Sequence, residues 1–532
     1  MSWLIAITLL SFGVLAAGST LNALGLDIDV TGIGGSPPPS GHRRQLRRPR
    51  AHPAPAPLQA VLEISPQARL VPIPRSFLGF STEYWTLPVD ERHIVLYRRV
   101  IGLVHVPGDG RFVLRIGGDS SDHAFWAPKV RAMPRWAYRV TPEWIQRTAR
   151  VVRDSGLQVI IDLNLITGTP SLAAAWAHHA ERELPAHSII GFEVGNEPDL
   201  YERTIWTSEL GGTRLAVQAL PAAITPVSYA LAYQAYEHAL ARAAPGVPLL
   251  APALALPHRD RTWIRTLLRS PHPHLGTISV HMYPYDACVA RRAGNYPTIN
   301  RVLSPHAVTG MGEAVGSAVT MARRDGLPVR VTEFNSVTCG GTPGVSNTFA
   351  TALWAPDALL ELVRSGATAA DLHVRVFSIN APFRFTADGI RARPLLYGLI
   401  TFARMLGPDS RLVAVKLDAP PSADLSAWAV RRAPGTLNVL LIDKGRRSVR
   451  VRLRLPSSQT ATVQRLLAAK ASSTSGETLA GQHLNADAHF AGRFDAQRIA
   501  PTDGAYTVVV RRYSAALVTV PVAATTLAGG AR

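Results

Sequence analysis

A chain of 532 residues, 47% hydrophobic and 17% charged, holds far more material than one small core needs and excludes a disordered polyelectrolyte. Lys plus Arg exceed Asp plus Glu by 19, and residues 1–60, with five Arg and two Asp, hold little of that excess. The body therefore carries a positive field that suits anionic partners, yet the sequence has no zinc-finger spacing, RNA-binding signature or basic helix that would direct it to nucleic acid. An arginine-rich genomic composition gives the same excess, so charge alone selects no partner.

The chain opens on MSWLIAITLLSFGVLAAGST, whose apolar run from Trp3 to Ala17 suits a signal-peptide core and is short for a membrane span. Small residues Ala16, Ala17 and Gly18 offer cleavage sites. No basic residue precedes the run, and HRRQLRRPR follows it at 42–50, so an uncleaved anchor is the alternative. Export to the periplasm or the outside is expected, with membrane attachment only through that anchor. Residues 21–58 read as a Pro/Arg-rich linker that cannot pack. Residues 59–74 carry two short strands, AVLEIS and ARLVPIP.

From residue 75 to 408 short apolar runs alternate with helical stretches. Strands are predicted at 76–81, 111–116, 157–163, 188–194, 247–251, 276–282, 328–334 and 372–379. Helices fit between them, one starting at Thr141-Pro142, another over 228–244, and the last over 393–406. Eight such units imply a parallel sheet closed into a (β/α)8 barrel, an α/β fold. Residues 409–525 alternate at period two and read as a β-sandwich, which the strands of 59–74 are expected to join.

Barrel chemistry sits at the C-terminal strand ends. Strand 2 ends RIGGDSSD, strand 4 EVGNEPDLY, strand 6 VHMYPY and strand 7 VTEFNSVTCGG. Glu197 and Glu333 follow strands 4 and 7, across the barrel mouth from each other, as a pair of carboxyls for glycoside hydrolysis requires. Other polar residues at these ends have simpler readings. Arg115 suits an ordinary ion pair, His281 a packed core histidine, and Asp119 a turn residue. Asp162 and Asn164 read as structural, and Trp126, Trp136 and Tyr138 as either a sugar platform or loop cover.

GNEP after strand 4 with TEF ending strand 7 resembles the clan A retaining glycoside hydrolases. RIGGDSSD, GNEPDLY, HMYPY and EFNSVTCGG resemble family 79 of that clan, the β-glucuronidase and heparanase group, over about residues 60–525. The resemblance implies Glu197 as acid/base and Glu333 as nucleophile. It implies that Asn196 binds the sugar 2-hydroxyl and that Tyr283 donates to Glu333. Arg115, supported by His281, keeps Glu333 ionised, and Asp119 and Glu83 bind outer hydroxyls. It implies no metal and no cofactor, and an exo-acting enzyme on glucuronide-containing carbohydrate. Two departures stand out. Cys339 occupies the place where heparanase-like members put a tyrosine before the glycine pair, and the strand 8 end, SINAPF, lacks an expected tyrosine. The alternatives are a clan A enzyme on a neutral sugar, β-xylosidase-like, and an inactive carbohydrate-binding barrel.

Cys288 and Cys339 follow strands 6 and 7 by a few residues each, which places them side by side at the rim. A disulfide is expected in an oxidising compartment, with two separate thiols as the alternative. Cys339, Gly340 and Gly341 are expected to fold over the sugar and offer successive backbone N–H groups to a carboxylate, without help from a Lys or Arg.

Overall fold

The computed structural model describes residues 55–65, 67–130, 133, 136–201, 224–375, 377–433, 435–455 and 457–522. The expected signal peptide or anchor and nearly all of the expected linker lie outside these residues. Among those described, no helix is long and apolar enough to cross a membrane.

Eight parallel strands close into a barrel: Leu78–Glu83, Val113–Gly117, Gln158–Leu163, Ile189–Val194, Leu249–Leu254, Leu275–Met282, Val329–Phe334 and Ala369–His373, numbered 1 to 8. Each pairs with the next, and strand 8 pairs back to strand 1, Ala370 opposite Leu78. The helix Pro142–Ser155 starts as its sequence predicts, the Thr141 side chain accepting from the Trp144 N–H, and it stops at left-handed Gly156. Helices Pro226–Ala243 and Pro394–Met405 likewise begin on a proline. One strand differs from expectation. Strand 8 begins at Ala369 and ends at His373, so Val374 and Arg375, which the alternating pattern of HVRV assigns to the strand, belong to the loop after it. The small apolar residues Ala369 and Ala370 form its first part, where their side chains are wholly or almost wholly buried.

The C-terminal region forms two further sheets. The larger runs Leu70–Pro72, Arg411–Val413, Leu425–Arg432, Thr436–Asp443, Ser514–Pro521, Ala461–Leu467 and Thr478–Leu479. The smaller runs Lys416–Asp418, Leu58–Glu63, Val449–Arg454 and Tyr506–Val510. Both N-terminal strands thus join C-terminal sheets. The strand Thr436–Asp443 explains its own composition. Val439 and Leu441 pack between the two sheets, while Leu440 and Ile442 face the barrel's core. Burial on both faces removes the usual polar alternation.

Helix Phe349–Ser365 lies where barrel and sandwich meet, with every side chain from Phe349 to Val363 buried. Asp357 is its one acid on the sandwich side. Its Oδ2 accepts from Lys444 Nζ at 2.8 Å and Ser426 Oγ at 2.8 Å, and its Oδ1 from Trp428 Nε1 at 2.6 Å. Lys444 is itself buried, so removing the acid strands a charge in the interior. Asp357→Ala is expected to destabilise the fold by about 3–5 kcal/mol, read as a drop in the urea midpoint; a midpoint within error of wild type would show that the pair does not join the two parts.

Candidate active site

Arg115 on strand 2 points into the barrel with no exposed surface. A guanidinium has five N–H groups, and here it makes five hydrogen bonds. Nε donates to Glu193 Oε2 at 2.6 Å on strand 4. Nη1 donates to Ser81 Oγ at 3.2 Å on strand 1 and to Glu333 Oε2 at 2.9 Å on strand 7. Nη2 donates to Asp162 Oδ2 at 2.9 Å on strand 3 and to Asn196 Oδ1 at 3.1 Å after strand 4. Burial alone would favour losing the proton, but Glu193, Asp162 and Glu333 hold the cation firmly. The group needs room. A Cβ on Gly117 would stand 2.8 Å from the Arg115 Cζ and 2.7 Å from the Asp162 Cβ, so the first glycine of RIGG is a packing requirement.

Glu333, next to last in strand 7, is held from both sides. Its Oε1 accepts from Tyr283 Oη at 2.5 Å and lies 2.8 Å from His373 Nδ1. Burial raises its pKa, yet His373, His281 and Arg115 together hold the carboxyl well below the usual carboxylate range. His373, the last residue of strand 8, also reaches Glu83 Oε1 through Nε2, at 3.4 Å. Burial lowers its pKa, and the two glutamates outweigh that, raising it to about 9. Sequence reasoning missed His373 because it placed the residue inside strand 8. It also missed Glu193, an acid mid-strand in SIIGFEV, where a charge survives only by being paired.

GNEP is a strained turn. Gly195 has φ 82° and Glu197 φ 48°, a left-handed conformation that costs a residue with a side chain about 1–3 kcal/mol. The Glu197 N–H is pinned to the Ala253 carbonyl at 3.1 Å, and Asp199 accepts from the Ala255 and Leu256 N–H groups. The strain turns the side chain toward the mouth, where Oε1 meets His281 Nδ1 at 2.9 Å. A carboxylate oxygen of Glu197, a ring nitrogen of His281 and a carboxylate oxygen of Glu333 all lie within 4.8 Å of one another. That triangle is small enough for a cation, but the Glu333 oxygens already face Arg115, Tyr283 and His373. The site suits two carboxyls working across a bound molecule better. Among the described residues Asp162 Oδ1, Glu193 Oε1 and His281 Nε2 are buried without a hydrogen bond, a cost that collects at functional sites.

The remaining expected residues divide. Asn196 is buried, its oxygen committed to Arg115 and its amide nitrogen left without a partner among the described residues. Asp119 stands at the mouth, half-exposed, 3.8 Å from Arg375. Glu83 does not face outward. It has no exposed surface, Oε2 accepts from the Ser120 N–H at 2.9 Å, and Oε1 faces His373 and Arg375. Its expected role on outer hydroxyls therefore gives way to holding two cations. Asp162 and Asn164 act in the frame, the latter bonded to Thr167 and Ala124. Trp126 is buried against Trp176, not at a sugar platform.

Cys288 and Cys339 are joined, Cα to Cα 6.1 Å, so the loops after strands 6 and 7 are tied. Asp286 reinforces them by accepting from Thr338 Oγ1 at 2.7 Å. The glycine pair differs from expectation in one respect. The Gly341 N–H donates to the Thr338 carbonyl at 2.9 Å and is not free for a ligand. A Cβ there would lie 2.8 Å from side-chain carbons of Asn380, Ile379 and Ser346, at φ 89°, so Gly341 is required by packing, not by the approach of a sugar. Cys339 and Gly340, both also at positive φ, keep N–H groups without a partner among the described residues.

No protein-family model matches the chain. A β-glucuronidase of Aspergillus niger is 24% identical over 479 residues, 79% of this chain and 85% of that protein. The chain resembles a β-glucuronidase. Among solved structures, a 4-O-α-L-rhamnosyl-β-D-glucuronidase from Fusarium oxysporum 12S matches with a TM-score of 0.69 and 17% identity, over 87% of this chain and 100% of that one. A family 51 α-L-arabinofuranosidase from Thermotoga petrophila RKU-1 matches with a TM-score of 0.62 and 16% identity, over 87% and 100%. These structural likenesses establish the barrel-and-sandwich fold, and the motif-level likeness to the β-glucuronidase group is met by a relative in sequence.

Two outcomes follow from the geometry. The folded chain binds the His373 proton more tightly than the unfolded chain does, so the stability this adds is complete below pH 6.5 and lost as pH rises to about 9. Wild type is expected to lose stability to urea across that window, and His373→Gln to lose markedly less; equal slopes would mean that His373 is neutral in the fold. Thiol labelling of the unreduced, denatured protein is expected to find no free cysteine.

Proposed function

We propose that this chain is a retaining, exo-acting β-glucuronidase. The observation that carries the reading is the spacing of Glu197 and Glu333, whose nearest oxygens lie within 4.8 Å. Retaining glycosidases hold their two carboxyls about 5–5.5 Å apart, whereas inverting ones leave about 6.5–9.5 Å for a water. The two environments differ as the two roles require. Glu333 is held ionised by His373, His281 and Arg115, which suits a nucleophile. Glu197 bonds only to a histidine and is partly exposed, which suits a group that exchanges protons with the medium.

In the first step a Glu333 oxygen attacks the anomeric carbon as the glycosidic C–O bond breaks, and Glu197 gives its proton to the departing oxygen. A glycosyl ester on Glu333 results. Water, deprotonated by Glu197, then attacks the same carbon and releases Glu333 and the free sugar. Both carboxyl groups are restored, Glu197 protonated and Glu333 ionised, with one water consumed. Tyr283 and Arg115 take up the charge on Glu333 as it alternates between ester and carboxylate. In this reading the free amide nitrogen of Asn196 donates to the 2-hydroxyl, and Asp119 accepts from a hydroxyl at the mouth. The glucuronide reading draws on the resemblance to β-glucuronidases in sequence motifs and overall similarity. The bridge between Cys288 and Cys339 supports an exported location.

Glu333→Ala is expected to abolish turnover. Glu197→Ala is expected to slow poor leaving groups by about 10²–10⁴-fold and nitrophenyl substrates far less, because nitrophenolate departs without a proton. Steady-state kinetics on a leaving-group series decide it; equal losses across the series would assign the acid elsewhere.

A further inference from the structure

A cavity of about 370 Å³ opens past the ends of strands 1, 7 and 8. Neither Glu197 nor Glu333 lines it. Its wall includes Trp85, Gly340, Arg375, Phe377 and Ser378. The loops after strands 1, 7 and 8 meet there, and Glu83 and His373 connect it to Glu333, since Arg375 Nε is 3.6 Å from the same Glu83 oxygen that faces His373.

Arg375 is unlike the other arginine of the site. Arg115 has no exposed surface and has spent every N–H on the protein. Arg375 is 33% exposed, and its two ion pairs, 3.6 Å to Glu83 and 3.8 Å to Asp119, are longer than hydrogen bonds. None of its N–H groups donates to a described residue. Its guanidinium lies over the Trp85 ring, 5.9 Å from the centroid, and Trp85 stacks in turn on Phe377, which is 75% exposed. The stem is thus oriented while the donors stay free, the state of a binding group awaiting an anion. On the same wall are the unpartnered N–H groups of Cys339 and Gly340.

Charge balance makes a cation necessary. Glu83, Asp162, Glu193, Glu197 and Glu333 gather at this end of the barrel, and the cations in their midst, Arg115 and protonated His373, already face the protein's own carboxylates. A negatively charged sugar entering here meets repulsion unless a cation with free donors receives it. We infer that Arg375, with the Cys339 and Gly340 N–H groups, forms the site that receives the carboxylate of a uronic acid substrate, and that this side chain sets the preference for uronate over neutral sugar. The inference rests on the β-glucuronidase reading and adds a residue to it. A planar fork meets a carboxylate with two parallel bonds, a match that a neutral hydroxymethyl group cannot make.

The test compares kcat/KM for matched nitrophenyl β-glucuronide and β-glucoside in wild type, Arg375→Gln and Arg375→Lys. Wild type is expected to prefer the glucuronide. Arg375→Gln is expected to lower the glucuronide-over-glucoside ratio by about 10- to 100-fold, the weight of a charge-assisted bond. Arg375→Lys keeps a charge opposite Glu83 and Asp119, so it preserves the fold if glutamine does not, and it is expected to recover part of the ratio. Calorimetric titration of glucuronic acid into Glu333→Gln, with and without Arg375→Gln, gives a readout free of turnover, and the second substitution is expected to weaken binding by a similar factor. If wild type prefers glucuronide and both Arg375 variants keep that preference, the assignment of Arg375 is overturned and the β-glucuronidase reading stands. If wild type shows no preference, both fall.

Discussion

Arg115 and the five acceptors around it set the terms for everything else at the barrel mouth. Taking a guanidinium fully out of water is expensive, and three carboxylates buried beside it repay that only when every bond is well made. The five bonds reach strands 1, 3, 4 and 7 and the turn after strand 4, so one side chain fixes the relative height of half the barrel. Yet three acids against one base leave excess negative charge. His373 relieves it by holding a proton, and that proton in turn draws Glu83 inward. The alternation continues outward through Arg375 to Asp119. A chain of opposite charges thus runs from the barrel axis to the solvent, each member oriented by the one beneath it.

The fold was legible because periodicity survives in long elements. Strands such as Gln158–Leu163 and Ile189–Val194 are apolar runs between clear helices, and the sandwich strands alternate. Glu197 and Glu333 stand out in the sequence because a carboxyl at a strand end is costly unless paired or used, and the structure brings their oxygens within 4.8 Å of each other. What escaped lies where backbone course decides the matter. His373 could be recognised only by knowing that strand 8 stops there, and LHVRVFSI gives no local stop. Arg375, two residues on, inherits the same ambiguity. Gly341 misled for a different reason. A glycine pair signals positive φ, but not whether the freed space serves a ligand or, as at Gly341, three neighbouring side chains. Glu83 shows that proximity in sequence to a loop does not decide which way a carboxyl faces.

The strain at GNEP illustrates how the site is maintained. A left-handed glutamate is unfavourable by itself, and it persists because its N–H is held by the Ala253 carbonyl while Asp199 clamps the next loop. Loops after strands 6 and 7 are held covalently by their cysteines. The two halves of the carboxylate pair therefore stand on supports of different kinds, one a hydrogen-bonded turn and the other a strand end beside a cross-linked loop.

The strand Leu58–Glu63 has a history as well as a place. It lies between Lys416–Asp418 and Val449–Arg454, and Arg454 bonds Glu63 across 391 residues of sequence. On a ribosome adding about 5–20 residues per second, this strand emerges early and waits roughly 20–80 seconds for its neighbours. During that time its apolar face, Ala60 and Leu62, has no sheet to enter. All eight barrel strands are synthesised before Val449–Arg454, so the leading strand stays unpaired while they emerge. Such a nascent chain is open to aggregation, and a chaperone holding that short segment would protect the whole assembly line of the protein.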